Sequence, residues 1–338
     1  MSLQTIASFD DNPDPLQLVE VAVPEPADQE IRIRVATCGV CHTELDEIEG
    51  RTPPPRLPVI PGHEVVGIVD ALGRGAGRHQ LGDRVGVGWI HHSSGATDEN
   101  LSPEFRATGR DVNGGYAEFM TVHERYAYPI PAVFSDSEAA PLLCAGGVGY
   151  RSLMLTGIED GQALGLTGFG GSGHLVLQLA KHLYPHSKIC VFARSAREQA
   201  FALELGADWA GDTLDEPPQA LHAIIDTTPA WLPVRAALRN LRPGGRLVIN
   251  AIRKESSDRE VLAELDYANE LWLEKELKSV ANVTAEDIER FLAVAADIPL
   301  KPAVRSLPLE EANRALRELR AGHLRGAIVL LINSSSNK

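Results

Sequence analysis

The spacing of apolar and polar residues divides the chain into two patterns. In the first 135 or so residues, apolar and polar side chains alternate in short segments such as Glu30 to Val35, which predicts half-buried β-strands. From about residue 163, apolar runs alternate with segments of helical periodicity, which is typical of a parallel sheet with helices on both faces. The predicted strands of the first part are 30–35, 65–72, 85–90 and 116–122.

The remaining elements follow from the same patterns. A helix is predicted from Ser135 or Asp136 to Leu143, and the segment 89–110 is expected to be irregular. The other predicted helices are 147–156, 173–183, 196–205, 232–241, 284–296 and 309–319, and the other strands are 163–167, 188–193, 222–226, 246–251, 277–281 and 327–332, before a frayed tail at 333–338. We predict a β-rich domain at 1–146, a doubly wound α/β domain at 147–283, and a return to the first domain at 284–338.

Composition narrows the possible functions. The 338 residues carry a formal net charge of −14, which argues against binding to nucleic acid because neutralising phosphates requires a basic face. No apolar run approaches the roughly 18 residues of a membrane span, and the N-terminal residues do not resemble a signal peptide. We therefore expect a cytoplasmic protein with four reduced cysteines.

A glycine motif marks the start of the α/β pattern. Gly168, Gly170 and Gly173 form G-x-G-x-x-G between a predicted strand and a predicted helix, with Phe169, Gly171 and Ser172 in the intervening positions. In this setting the glycines allow a tight turn and close approach of a pyrophosphate to the free N–H groups of the helix. The alternative is an ordinary glycine-rich loop.

Cysteines and a histidine in the β-rich part are candidates for a metal site. They occur in Cys38-Gly-Val-Cys41-His42-Thr43-Glu44, in Gly62-His63-Glu64 and at Cys144. A catalytic zinc ion needs three protein ligands and an open position, which Cys41, His63 and Cys144 would supply. Taken singly, each cysteine is more often a buried apolar residue.

Together these motifs resemble the zinc-dependent medium-chain alcohol dehydrogenase family, and most of all its bacterial propanol-preferring type. The resemblance also includes Gly82-Asp-Arg-Val85, Gly114-Gly-Tyr-Ala-Glu118 and Cys144-Ala-Gly, in order along nearly the whole chain. It implies a GroES-like β-rich catalytic domain and an inserted Rossmann domain. It further implies hydride transfer between small primary alcohols, or the corresponding aldehydes and ketones, and NAD(P), in a homo-oligomer that is a dimer or a tetramer.

The resemblance also assigns roles to individual residues. It implies that Cys41, His63 and Cys144 bind the zinc ion and that Cys38 does not. Thr43 takes the proton of the alcohol, and Glu64 approaches the metal when ligands exchange.

Three departures from the family pattern change these expectations. The stretch 91–102 contains no cysteine where many relatives bind a structural zinc ion with four, and Ser94 and Ser102 stand at the expected first and last positions, so we predict one zinc ion per chain. Glu44 replaces the usual aspartate that orients the zinc-bound imidazole, which requires a different rotamer. Asp46 replaces a relay histidine, so the proton passes either through Asp46 or directly to water.

Specificity for NAD or NADP depends on the end of the second Rossmann strand. Ala193 occupies the position of the acid that binds the ribose of NAD, while Arg194 and Arg197 could bind a 2′-phosphate, which favours NADP over NAD. Alternatively, Ser195 and Glu198 only cap the next helix and the arginines are solvated. Asp226 and Arg253, after later strands, are expected to line the cofactor site, and Arg325 is a further candidate for the pyrophosphate, unless the family's arginine corresponds to Ala327.

Two other functions remain possible at this stage. One is a metal-free quinone or enone reductase of the same fold, although such relatives lack the Cys, His and Cys ligands. The other is a non-enzymatic redox sensor that binds a nicotinamide. An absorbance assay with ethanol, butanol and benzyl alcohol would distinguish them.

Overall fold

The computed structural model describes residues 1–298, 300–322 and 326–332, so Arg325 and the tail 333–338 lie outside the described residues. The chain forms two compact units, one made of Met1–Gly147 and Val283–Lys338 and the other of Val148–Asn282. The predicted domain limits each lie one residue from these boundaries. No helix in the described ranges has both the length and the apolar character needed to cross a bilayer.

The first unit is built on a mostly antiparallel sheet, in which only the last two described strands of the chain pair in parallel. Its N-terminal elements are β1 (Ser2–Leu3), β2 (Leu16–Gln17), β3 (Glu30–Val40), α1 (His42–Ile48), β4 (Val65–Leu72), β5 (Arg84–Val87), β6 (Ile90–His92), β7 (Arg106–Ala107), β8 (Phe119–His123), β9 (Ala127–Pro129) and α2 (Asp136–Ala139). Ile31, Ile33 and Val35 on β3 are fully buried and alternate with Arg32 and Arg34, as the alternating pattern predicts.

The second unit contains the parallel sheet. Its elements are α3 (Ala145–Thr156), whose first turn belongs to the other unit, β10 (Leu164–Thr167), α4 (Gly173–Leu183), β11 (Ile189–Phe192), α5 (Ala196–Glu204), β12 (Trp209–Gly211), β13 (Leu221–Asp226), α6 (Leu232–Asn240), β14 (Leu241–Ile249) and β15 (Glu276–Ser279). The strand order is β12-β11-β10-β13-β14-β15, and every pairing is parallel. The carboxyl ends of β10, β11, β13 and β14 therefore share one edge, where open α/β sheets bind ligands.

The chain then returns to the first unit. The closing elements are α7 (Ala285–Asp297), β16 (Val304–Pro308), α8 (Ala312–Arg320) and β17 (Ala327–Leu331). Strand β17 pairs with β3 in antiparallel register, Ile328 opposite Val40, and completes the sheet β16-β17-β3-β4-β5-β9, with β8 paired to β3.

Several element predictions were wrong in detail. Helix α1 was not predicted, because Thr43 to Ile48 are all buried and show no amphipathic pattern. The helix expected to reach Leu143 ends at Ala139, and a 3-10 turn containing Pro141 follows it. The strand expected at 85–90 is divided between β5 and β6, which belong to different sheets.

Candidate active site

Four potential metal-binding side chains converge in the first unit. The ligand atoms of Cys41, His63, Glu64 and Cys144 all lie within 4.8 Å of one another. Cys41 Sγ is 3.9 Å from Cys144 Sγ, and His63 Nε2 is 3.2 Å from Cys144 Sγ. Ligand atoms of a tetrahedral zinc ion lie about 3.5–3.8 Å apart, so the two cysteines and the histidine fit such an ion. Cys38 is fully buried and is not one of the four.

Local structure brings these residues to one place. Cys41 follows the end of β3 and stands at the N-terminus of α1 with an extended backbone. Cys144 follows the 3-10 turn at 140–143, and neither cysteine forms a disulfide. His63 precedes β4 and contacts the Trp89 ring edge-on, with ring centroids 4.7 Å apart. Trp89 thus helps to enclose the cluster.

Glu44 connects two of the ligands. Its Oε1 is 2.7 Å from His63 Nδ1, and its Oε2 accepts a hydrogen bond of 2.8 Å from the Cys41 N–H. Because Nδ1 faces this carboxylate, Nε2 is the imidazole atom directed at the cluster. Glu44 is fully buried, so the longer side chain reaches both residues without exposure to solvent.

Glu64 depends on the absence of a side chain at Gly39. A Cβ at position 39 would lie 1.8 Å from Glu64 Oε2. Glu64 is buried, and its Oε2 has no hydrogen-bond partner among the described residues. A buried carboxylate oxygen without a partner fits a site that also holds a cation.

The electrostatics of the cluster also fit a cation. The hydrogen bond from Cys144 holds the pKa of the Cys41 thiol well below its usual value in spite of burial, and the same bond together with burial raises the pKa of Cys144. Burial lowers the pKa of His63, but Glu44 and Cys41 outweigh burial and raise it. A divalent cation would offset the charge of two thiolates in this buried setting.

The glycine motif forms the turn between β10 and α4 in the second unit. Gly168 has a φ of 83°, which L side chains rarely adopt. A Cβ on Gly173 would lie 2.7 Å from the Gly168 carbonyl, so the helix packs closely on the turn. Gly170 and Gly171 have no atoms within 4 Å of where a Cβ would stand, which leaves the turn open to a ligand. Phe169 is buried under the turn and Ser172 is half-buried.

Comparison with known proteins assigns the chain that carries these two sites to a family. Residues 27–132 match the model of the alcohol dehydrogenase GroES-like domain. Over 329 residues the chain is 44% identical to the probable alcohol dehydrogenase AdhA of Mycobacterium tuberculosis, covering 94% of this chain and 93% of that protein. This chain belongs to the alcohol dehydrogenase family.

Other relatives and solved structures agree with the family. An alcohol dehydrogenase of Geobacillus stearothermophilus is 31% identical over 334 residues, covering 94% of this chain and 97% of that protein. The solved cinnamyl alcohol dehydrogenase SbCAD4 of Sorghum bicolor aligns with a TM-score of 0.79 at 26% identity, covering 94% of each chain. The predicted family and fold class are confirmed.

The two residues predicted to form a proton relay, Thr43 and Asp46, lie on α1. Thr43 Oγ1 is 3.6 Å from Cys41 Sγ, and Thr43 is buried. Asp46 is also buried, and its Oδ1 accepts a 2.6 Å hydrogen bond from Arg51 Nε. Sequence reasoning missed Arg51, because the pairing depends on how the chain turns after α1. This hydrogen bond links Asp46 to the residues that follow α1.

The residues predicted to select the cofactor lie after β11. Ala193 is buried and its N–H donates to the Gly211 carbonyl, while Arg194 and Arg197 are exposed. Ser195 caps α5, accepting from the Glu198 N–H at 3.2 Å and donating to Glu198 Oε2 at 2.9 Å. Arg194 and Arg197 take no part in this helix cap, and neither forms an ion pair within the described part of the chain.

Asp226 and Arg253 lie at the same sheet edge but differ in availability. Asp226 is fully buried; its Oδ2 accepts from Lys254 Nζ and its Oδ1 accepts from Thr228 Oγ1 at 2.8 Å. Lys254 also donates to the carbonyls of Thr228 and Ala230. Asp226 therefore supports the loop after β13 rather than offering a free oxygen. Arg253 is half-buried, with its Nη1 3.7 Å from Glu255 Oε1.

The cysteine-free segment 93–110 is held by a buried acid that sequence reasoning missed. Glu99 Oε2 accepts from the Tyr126 hydroxyl at 2.9 Å, and Oε1 accepts from the Ala285 N–H at 2.7 Å. Ser93 Oγ donates to the Glu99 carbonyl at 2.6 Å. Glu99 is 1% exposed and ties the segment to Tyr126, just before β9, and to Ala285 at the start of α7.

Proposed function

We propose that this chain is a zinc-dependent alcohol dehydrogenase that interconverts small primary alcohols with aldehydes, and ketones with their alcohols. Membership of the family makes it an oxidoreductase that uses a nicotinamide cofactor. The convergence of Cys41, His63 and Cys144 carries the metal assignment, because Cys144 Sγ lies within about 0.3 Å of the ligand separation expected for zinc from both Cys41 Sγ and His63 Nε2.

The donor set determines how these residues would hold the ion. Two thiolates and a neutral imidazole nearly balance the charge of Zn²⁺ and leave one position open for an alcohol or carbonyl oxygen, which the ion polarises when bound. Glu44 fixes the imidazole orientation, and Glu64 lies close enough to approach the metal when ligands exchange.

We propose that Thr43 accepts the proton of the alcohol through its hydroxyl. Asp46 Oδ1 already accepts a hydrogen bond of 2.6 Å from Arg51 Nε. We therefore favour passage of the proton from Thr43 to water, with Asp46 and Arg51 fixing the end of α1.

We propose NADP as the preferred cofactor. Ala193 offers no carboxylate to the ribose, and Arg194 and Arg197 are exposed beside it. Replacing both arginines with alanine should raise KM for NADP about tenfold or more and leave KM for NAD within about twofold. A lower KM for NAD than for NADP in the unmodified enzyme would contradict this preference.

We also propose a homo-oligomer. Strand β15 is an edge strand whose four residues are exposed, and Trp272, Leu273 and Leu277 nearby are exposed apolar side chains. An unpaired edge with an apolar surface favours association with a second copy. Sedimentation equilibrium would show a dimer or tetramer, and a monomer at micromolar concentration would contradict the proposal.

One experiment tests the main proposal. The protein is assayed by nicotinamide absorbance with ethanol, butanol and benzyl alcohol, using NAD and NADP in parallel, and its zinc content is measured. We expect alcohol oxidation that falls when a chelator removes zinc. Full activity without metal, or activity only toward quinones and enones, would exclude a zinc-dependent alcohol dehydrogenase.

A further inference from the structure

A buried histidine lies beneath the glycine turn of the second unit. His174 is the second residue of α4 and is 2% exposed. Its Nδ1 is 3.0 Å from the carbonyl oxygen of Gly170, which also accepts from the His174 backbone N–H at 3.4 Å. Because a carbonyl can only accept, Nδ1 carries the proton of a neutral imidazole. Burial lowers the pKa of His174, which agrees with the neutral form.

The second nitrogen of the imidazole ring shows what a histidine costs at this position. His174 Nε2 is buried and has no hydrogen-bond partner in the described part of the chain. A buried polar atom without a partner is unfavourable, and a leucine would fill the same place without that cost. The bond from Nδ1 to Gly170 is therefore the interaction that a histidine supplies here and an apolar residue does not.

The turn has few other restraints at this point. Gly170 and Gly171 have no side chains, and no atom lies within 4 Å of either Cβ position. Glycine residues sample many backbone conformations, so an open pair of them needs an external restraint to keep one. Across the described ranges, the N–H groups of Gly171, Ser172 and Gly173 donate to no backbone carbonyl, so they are available to an anion.

Aromatic packing fixes the imidazole ring. Its centroid is 6.2 Å from that of Phe201 on α5, and Phe201 in turn meets Phe169 of the turn edge-on at 5.6 Å. The histidine thus rests on a small aromatic cluster joining the turn to the helix that follows Ala193.

We propose that His174 is a positioning residue for the cofactor: its Nδ1–H holds the Gly170 carbonyl toward the helix, so that the N–H groups of residues 171–173 point outward to the pyrophosphate. The inference rests on the proposed use of a nicotinamide cofactor. His174 does not touch the reacting atoms, so it acts on cofactor affinity and not on the chemical step.

Two variants of His174 distinguish the effect of the hydrogen bond on cofactor affinity from the effect of side-chain packing. In H174N the amide nitrogen can stand where Nδ1 stands, whereas H174L keeps the apolar volume and loses the donor. His182, exposed in the last turn of the same helix, gives the matched controls H182N and H182L. Calorimetric titration with NAD and NADP gives Kd, and steady-state assays give kcat at saturating cofactor.

We expect H174L to raise Kd for both cofactors about fivefold to tenfold, with kcat at saturation within about twofold and zinc content unchanged. H174N should bind within about twofold to threefold of the unmodified protein, as should both His182 variants. Equal losses in H174N and H174L, or no loss in H174L, would overturn the inference. If H174L does not fold, H174N is compared with H174Q, since only the asparagine amide can replace Nδ1. H174Q should then bind the cofactors more weakly than H174N, and equal affinities would overturn the inference. If the unmodified protein binds neither cofactor, the proposed function itself fails, and this inference fails with it.

Discussion

At the scale of single residues, a cysteine inside the cluster can be compared with a buried cysteine outside it. Cys144→Ser replaces a thiolate ligand by a neutral hydroxyl that binds zinc poorly. We expect loss of zinc and a fall in kcat of at least about a hundredfold, with Kd for the cofactor unchanged. Cys38→Ala, at a buried cysteine outside the cluster, is the control and should retain zinc. Loss of zinc in both variants would indicate a different ligand set.

The hydroxyl of Thr43 gives the second prediction. Thr43→Val keeps the volume and removes the proton acceptor, so kcat should fall about a hundredfold to ten-thousandfold while zinc content stays the same. Thr43→Ser should restore most of the rate.

Asp46→Asn tests the route beyond Thr43. We expect kcat within about tenfold of the unmodified enzyme, because Asp46 Oδ1 is engaged by Arg51 and, in the proposed route, the proton passes from Thr43 to water. A loss as large as that of Thr43→Val would show that the proton passes through Asp46.

The convergence of the proposed ligands is easier to anticipate from the sequence than the contacts around them. Cys41, His63 and Cys144 belong to short motifs that can be read locally. The pairing of Asp46 with Arg51 and of Asp226 with Lys254 depends on loops whose course no local pattern specifies. Asp226 was expected to face the cofactor because it ends a strand, yet its Oδ2 accepts from Lys254, 28 residues away, and its Oδ1 accepts from Thr228.

At the scale of elements, the segment 93–110 depends on Glu99. Both carboxylate oxygens accept hydrogen bonds, from Tyr126 and from Ala285. Glu99→Gln replaces one acceptor by an NH₂ group that faces another donor, which should cost about 2–3 kcal/mol of stability. Thermal unfolding measures the loss, and limited proteolysis should show faster cleavage within 93–110. Glu104→Gln, at an exposed acid of the same segment, should change neither.

The contact between Glu99 and Ala285 joins residues 186 positions apart, so no local pattern could reveal it. The irregular course predicted for the segment 89–110 was in part right, since the segment contains only the short strands β6 and β7 and one 3-10 turn at Glu99–Leu101. Helix α1 was missed for a related reason. Its burial comes from the surrounding fold, and Cys41 is not a usual N-cap residue.

Ion pairs to a buried glutamate join α6 to the π-helical turn Tyr267–Leu271. Glu270 is fully buried and accepts hydrogen bonds from Arg235 and Arg239. Burial raises the pKa of Glu270, but the two arginines outweigh burial and lower it. A carboxylate with a lowered folded-state pKa contributes stability above its unfolded pKa of about 4.3, and that stability is lost as the pH falls through the folded pKa.

We therefore expect the melting temperature to fall as the pH drops below about 4. Glu270→Gln should cost about 3 kcal/mol at pH 7, because it leaves two arginines without their buried partner, and should weaken the dependence on acid pH. Glu276→Gln removes an exposed partner of Arg246 and should cost less than about 1 kcal/mol. Equal effects of the two variants at pH 7 would contradict the role given to Glu270.

At the scale of the whole molecule, we predict one zinc ion per chain. The segment 91–102 contains no cysteine, and hydrogen bonds to Glu99 hold it to Tyr126 and Ala285. Elemental analysis should give a zinc-to-chain ratio near one, and two would refute the prediction. Chelation should abolish activity and leave the far-ultraviolet circular dichroism unchanged, because no ion is needed to hold the segment 93–110. Adding zinc back should restore the activity.

Gly39 has a consequence for how this chain can vary. It holds no metal and carries no proton, yet a Cβ there would lie 1.8 Å from Glu64 Oε2, far closer than carbon and oxygen can approach without a bond. In a saturation library selected for growth on an alcohol, position 39 should tolerate substitution as poorly as Cys41 does. The selection would therefore identify positions that lack space for a side chain as well as positions that take part in the chemistry. A glycine that looks unremarkable in the sequence would stand among the least replaceable residues of the enzyme.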